Sequence, residues 1–115
     1  LCHTQELARQ FEDYVVNNLG MKKGEYGMIA NGRIEIGKFV TIALRQTMAR
    51  VDLLQLRNEF NVIAIDECHL VAGNATYVSQ YQKILSNLVA QYRFGITATP
   101  FRRRWINTLY VCIIK

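Results

Sequence analysis

Leu7, Phe11, Tyr14, Val15 and Leu19 recur three and four residues apart, the spacing of one helix face. Thr4 ahead of them is a natural cap, Glu6 suits the positive end of the helix dipole, and Gly20 ends the pattern. A helix over residues 5–19 is therefore predicted. The pattern then changes period. Met28-Ile29-Ala30 and Arg33-Ile34-Glu35-Ile36 flank Asn31-Gly32, the dipeptide best suited to a two-residue hairpin turn. Arg33 and Glu35 alternate with Ile34 and Ile36, which gives that segment one wet face. Phe39-Val40-Thr41-Ile42-Ala43 reads as a further strand, and Met48, Val51 and Leu54 as the inward positions of a helix after it. Val62-Ile63-Ala64-Ile65 is a short, β-branched apolar run, the signature of a parallel strand covered on both faces. Tyr77, Val78, Tyr81, Ile84, Leu85 and Leu88 mark an amphipathic helix, and residues 91–96 enter a last clear strand. Residues 110–114 are apolar and fit either a sixth strand or a frayed end.

The run at Val62 stops at Asp66-Glu67-Cys68-His69. Carboxylates at the carboxyl end of a buried strand stand where open α/β sheets bind ligands. Two adjacent ones suit nucleotide hydrolysis: one can hold a hydrated Mg²⁺ while the other orients or deprotonates the attacking water. Asp-Glu alone would read as an acidic turn capping the next helix; four apolar residues leading into Asp-Glu-Cys-His are far more specific. The last strand delivers Thr97, Ala98 and Thr99 at its tip. On structural grounds alone these are ordinary turn residues, and Pro100 supports a turn.

Asp66-Glu67-Cys68-His69 resembles the Asp-Glu-x-His box of superfamily 2 helicases and translocases. Cys2-His3-Thr4-Gln5-Glu6-Leu7-Ala8-Arg9-Gln10 looks like that superfamily's segment after the second core strand, which touches the nucleic-acid backbone. Gly95-Ile96-Thr97-Ala98-Thr99-Pro100-Phe101-Arg102 looks like its Ser/Thr-Ala-Thr coupling motif. The three fall in the required order across residues 1 to about 104. The Thr-Ala-Thr-Pro-Phe-Arg form is similar to the restriction-subunit and repair-helicase branch, which mostly acts on DNA. The resemblance implies an α/β fold with a largely parallel sheet and helices on both faces, RecA-like, of the phosphate-loop NTPase type. It implies ATP and Mg²⁺ as cofactors, with Asp66 binding Mg²⁺ through water and Glu67 orienting the attacking water. His69, with Thr97 and Thr99, would couple nucleotide state to the nucleic-acid side. His3, Thr4, Gln5 and Gln46 would touch the backbone of a nucleic acid, DNA ahead of RNA. Without the resemblance, Thr4 reads as a cap and His3 as a surface residue. One departure stands out: Leu44 replaces the Thr that the family often has before Arg45-Gln46-Thr47. That puts one backbone contact in doubt and leaves Arg45 and Gln46 as candidates.

Composition narrows the picture further. The 115 residues suit one domain, and with half of them hydrophobic and one proline, disorder is not expected. Fourteen Lys and Arg against nine Asp and Glu give +5, a balance that favours a polyanionic partner. No apolar run approaches the roughly 18 residues of a membrane span, and the first residues do not read as a signal peptide. Three scattered cysteines do not make a disulfide framework, so an intracellular place, cytoplasmic or nucleoid, is expected with no membrane partner. Adjacent Cys2-His3 and Cys68-His69 pairs fit tetrahedral zinc poorly. Arg102-Arg103-Arg104 beside Trp105 is either a phosphate grip or a solvated face.

Gly32-Arg33-Ile34-Glu35-Ile36-Gly37-Lys38 has the spacing of a phosphate-binding loop but not its chemistry. Phe39 stands where Ser or Thr must face Mg²⁺, the interior alternates like a strand, and the stretch follows the Thr4 segment instead of preceding it. The phosphate-loop unit and a second RecA-like domain are thus both missing from the pattern. Residues 1–115 are expected to be part of a first RecA-like, helicase ATP-binding domain, inactive alone and partnered by the second RecA-like domain of a longer chain. The alternative is a non-catalytic nucleic-acid-binding or interaction module that keeps the helicase fold.

Overall fold

The computed structural model describes residues 1–72, 75–98 and 110–113. It divides into two compact units, Leu1–Val51 and Asp52–Lys115.

In the first unit, helix α1 covers Gln5–Asn17, capped by Thr4, whose hydroxyl accepts from the Leu7 N–H at 3.3 Å. It ends two residues short of the predicted 19, where Gly20 turns into the left-handed region and the Met21 N–H reaches the Val15 carbonyl at 3.0 Å. Strands β1 (Tyr26–Ala30) and β2 (Arg33–Ile34) form the expected hairpin. Asn31 and Gly32 both take positive φ, 52° and 78°, the backbone of a type I′ turn. Strand β3 (Val40–Ala43) lies parallel to β1 on its other side, giving the order β2-β1-β3. Gly27 and Gly37 touch backbone to backbone here. A β-carbon on either would run into the other's amide nitrogen, and into the Glu35 or Val40 carbonyl oxygen.

The core of this unit gathers Cys2, Ala8, Val15, Met28, Ala30, Ile42 and Leu44, with Leu7, Met21, Tyr26 and Val40 against it. Fully burying a side chain such as Met28 is worth about 1.5–3 kcal/mol. The predicted helix face is only half right: Ala8 and Val15 are buried, whereas Phe11, Tyr14 and Leu19 are exposed. The helix expected after β3 is a single turn, α2 (Arg45–Met48). Met48 is buried as predicted, but the chain leaves helical geometry after it and Leu54 is 67% exposed, with Leu53 buried instead.

In the second unit, β4 (Val62–Asp66) runs parallel to β5 (Tyr92–Thr97), with Asp66 beside Ile96. A 3-10 turn, Cys68–Ala72, and helix α3 (Ala75–Asn87) make the crossover. Tyr81 and Ile84 are buried along the predicted face of α3, and Leu88 just beyond its end is buried too. Strand β6 (Tyr110–Ile113) pairs antiparallel with β5, so the apolar tail is a strand. The order is β4-β5-β6.

The α/β class holds, but the sheets differ from the expected largely parallel one. Among the described residues there are two three-stranded sheets, each with one parallel and one antiparallel pair. Strand β4 also departs from burial on both faces: Ile63 and Ile65 are buried while Val62 is exposed. That alternation is the mark of a half-covered strand. Among the described residues no helix is long and apolar enough to cross a membrane.

Candidate nucleotide and nucleic-acid sites

Because β4 and β5 are parallel, their carboxyl ends share one edge of the sheet. Asp66 ends β4 and Thr97 ends β5. Asp66 is half-buried and takes part in none of the ion pairs among the described residues. Its hard carboxylate oxygens at a strand end fit Mg²⁺, which binds through one or two carboxylates and keeps several waters.

Glu67 follows with φ of 51°, a left-handed conformation uncommon for a residue with a β-carbon. The turn is fixed by the Leu70 N–H donating to the Glu67 carbonyl at 2.9 Å. Reversing the backbone there brings His69 back over its neighbour. His69 Nδ1 lies 3.1 Å from Glu67 Oε2 and 2.8 Å from Thr97 Oγ1. A bare Nδ1 would set its lone pair against the carboxylate, so the pair of contacts fits a protonated Nδ1 donating to Glu67 and to the hydroxyl. Thr97 is 2% exposed. The structure thus brings Glu67, His69 and Thr97 together beside Asp66. Thr99, Pro100 and the basic cluster at residues 102–104 with Trp105 lie outside the described residues.

The first unit assembles a second edge. Cys2 pairs with Leu44 as an isolated parallel bridge; its N–H donates to Ala43 and its carbonyl accepts from Arg45, both at 2.8 Å. That ladder sets His3, Thr4 and Gln5, at the amino end of α1, beside the turn carrying Gln46. Thr4, Gln5 and Gln46 are exposed and His3 is half-buried. Among the described residues His3 Nδ1 is buried without a hydrogen-bond partner. Of the two candidates after Leu44, Arg45 is 1% exposed and Gln46 is exposed.

Sequence reasoning misses one polar cluster in this unit. Arg33 Nη1 lies 2.6 Å from Glu12 Oε1 on α1, and Nη2 lies 3.0 Å from Glu35 Oε2. The Tyr26 hydroxyl adds a bond to Glu12 at 3.3 Å. The alternation at residues 33–36 predicts Ile34 and Ile36 on a dry face, but Ile34 and Ile36 are exposed while Arg33 is half-buried, and the pattern carries no signal for a partner 21 residues earlier. Backbone hydrogen bonds in the same stretch count against the phosphate-loop decoy. The N–H groups of Glu35, Gly37, Lys38 and Phe39 already donate to Met28, Thr41, Gly24 and Glu25, so no cradle of free donors remains.

Residues 1–102 match the family model of the type III restriction enzyme, res subunit. The chain belongs to that family. Res-subunit domains of this kind are RecA-like, from superfamily 2, and the family is helicase-like, with ATP-dependent activity on nucleic acid and ATP and Mg²⁺ as its general cofactors. No individual curated protein matches the chain at a significant level. The match spans every residue of the acidic box and both residues of the Cys2 and Leu44 bridge in this res-subunit chain.

Proposed function

We propose that this chain is part of the first RecA-like domain of a DNA translocase or helicase, working intracellularly with a second RecA-like domain. The observation that carries the reading is the Glu67–His69–Thr97 cluster beside Asp66 on the carboxyl edge of two parallel strands. Asp66 is the residue to hold Mg²⁺, which when bound neutralises charge on the phosphoryl oxygens of ATP. Glu67 orients the attacking water and accepts its proton. His69 holds the Glu67 carboxylate and, through Thr97, ties it to the strand that leads to Thr99. A shift of that strand tip therefore moves the water-orienting carboxylate, which is how binding of DNA is felt at the nucleotide. His3, Thr4, Gln5 and Gln46 bind the DNA backbone with no base edge read. The type III restriction description of the family favours DNA over RNA.

The chain alone, with the amides of residues 35 and 37–39 already bonded within the first unit, is expected to show no DNA-stimulated ATP turnover. In a longer protein that joins this chain to a phosphate loop and a second domain, Glu67→Gln should abolish turnover and leave ATP bound. Turnover surviving Glu67→Gln there would favour the non-catalytic reading of this domain. Turnover by the chain alone, lost with Lys38→Ala, would mean that residues 32–38 do bind phosphate and that the domain is not partial.

A further inference from the structure

Helix α1 meets the core through few residues. Ala8 and Val15 are buried along it and Leu7 packs half-buried against the same core, while Phe11, Tyr14 and Val16 stay exposed. Its amino end is tied down by the ladder through Cys2, which fixes where the helix begins but not the direction in which it points. Further along, a polar cluster bridges α1 to the hairpin. Arg33 grips Glu12 at 2.6 Å and Glu35 at 3.0 Å, and Tyr26 bonds the same Glu12 oxygen at 3.3 Å. Arg33 comes straight after the tight Asn31-Gly32 turn, and its register against Ala30 is fixed by the β-ladder. A planar guanidinium holding two carboxylates resists rotation in a way a point charge does not.

We infer that the Glu12–Arg33 pair positions the DNA-binding edge, aiming α1 so that Thr4 and Gln5 at its amino end stay in line with Gln46. The inference rests on the DNA-backbone role proposed above for those three residues. Glu12 and Arg33 touch no ligand in this scheme; they are positioning residues.

The sign of the effect separates positioning from plain charge. Glu12→Gln removes one acid, raising the net charge from +5 to +6. By electrostatics alone DNA binding should tighten. Positioning predicts the opposite, a weakening of about three- to fivefold, the range a partly exposed ion pair can supply. Arg33→Lys leaves net charge unchanged and loses the fork, so it should weaken binding to a similar degree. Glu35→Gln makes the same charge change as Glu12→Gln but breaks only a contact within the hairpin, so its binding should be unchanged or tighter. The experiment titrates a labelled duplex with the full chain and these variants at one moderate salt concentration. Circular dichroism confirms that each is folded at the temperature used, and Tyr26→Phe serves as a milder variant if Glu12→Gln is not. Weakening by Glu12→Gln and Arg33→Lys with Glu35→Gln spared supports the inference. Equal tightening by Glu12→Gln and Glu35→Gln overturns it, while a loss with Thr4→Ala and Gln5→Ala in the same series keeps the DNA-binding reading intact. Absence of binding by the unsubstituted chain overturns both.

Discussion

Glu67 meets two demands within a few bonds of each other. Its backbone sits in the left-handed region at a cost of about 1–3 kcal/mol, and its carboxylate is held by His69 Nδ1. Removing one contact of that imidazole should show which demand depends on it. Thr97→Val keeps shape and burial but deletes the hydroxyl 2.8 Å from Nδ1. Loss of one such bond in a buried site is expected to destabilise the fold by about 1–2 kcal/mol in urea titrations. In a longer protein of the kind proposed above it should also lower the DNA stimulation of ATP turnover more than the basal rate. An unchanged stimulation ratio would show that Thr97 only supports the strand end. A second residue-scale expectation concerns acid. The Glu35 carboxyl is held below its ordinary range, chiefly by its hydrogen bond from Arg33 and further by the Arg33 and Lys23 charges. A lowered folded-state value stabilises above the unfolded pKa and is lost as pH falls through the folded one. Wild type should therefore exceed Glu35→Gln in stability at neutral pH, by a small margin because the group is exposed. The gap should close as pH falls below the ordinary glutamate range of roughly 4.3, as followed by thermal melts across pH.

At the scale of elements, the predictions concern what starts and turns the chain. Thr4→Ala removes the cap on α1 and should cost about 1 kcal/mol, while Thr4→Ser should cost little. Gly32→Ala places a β-carbon at φ of 78° in the type I′ turn and should cost about 1 kcal/mol, read in the same urea titrations. These features are legible in the sequence because they depend on local chemistry: a cap, an Asn-Gly turn, a glycine stop, and the apolar face of α3. The strand that ends at Asp66 is legible for the same reason. What stays hidden depends on partners far along the chain. Phe11 and Tyr14 look inward by spacing, yet only Ala8 and Val15 of α1 are buried. The helix expected at Leu54 stops at Met48, because three apolar residues at helical spacing do not themselves supply a surface to bury them. The direction of β6 is equally hidden, since apolar content says nothing of whether a strand returns antiparallel. A link from His69 to Thr97 follows from the resemblance; its geometry, through one ring nitrogen shared with Glu67, does not.

At the scale of the whole molecule, the +5 net charge and the polar residues proposed to meet the DNA backbone predict weak, sequence-independent DNA binding. Log affinity against log salt should fall with a slope of roughly −0.9 per phosphate neutralised on duplex. Thr4→Ala with Gln5→Ala should weaken binding about equally on unrelated sequences. A flat salt response, or strong preference for one sequence, would contradict the proposed backbone track.

The paired glycines at 27 and 37 matter to anyone mapping this molecule by saturation mutagenesis. Alanine at Gly37 drives a methyl group into the backbone of β1 and β3, and alanine at Gly27 drives one into the Glu35 and Gly37 backbone just beyond β2. Overpacking of that kind costs about 1–3 kcal/mol or more, a large part of what a small domain has to spare. A tolerance map would therefore colour Gly27 and Gly37 as darkly as Asp66 and Glu67, though neither glycine offers a side chain to any ligand. Only a second measurement, whether the surviving protein still folds, would tell an intolerant stretch of bare backbone from an intolerant catalyst.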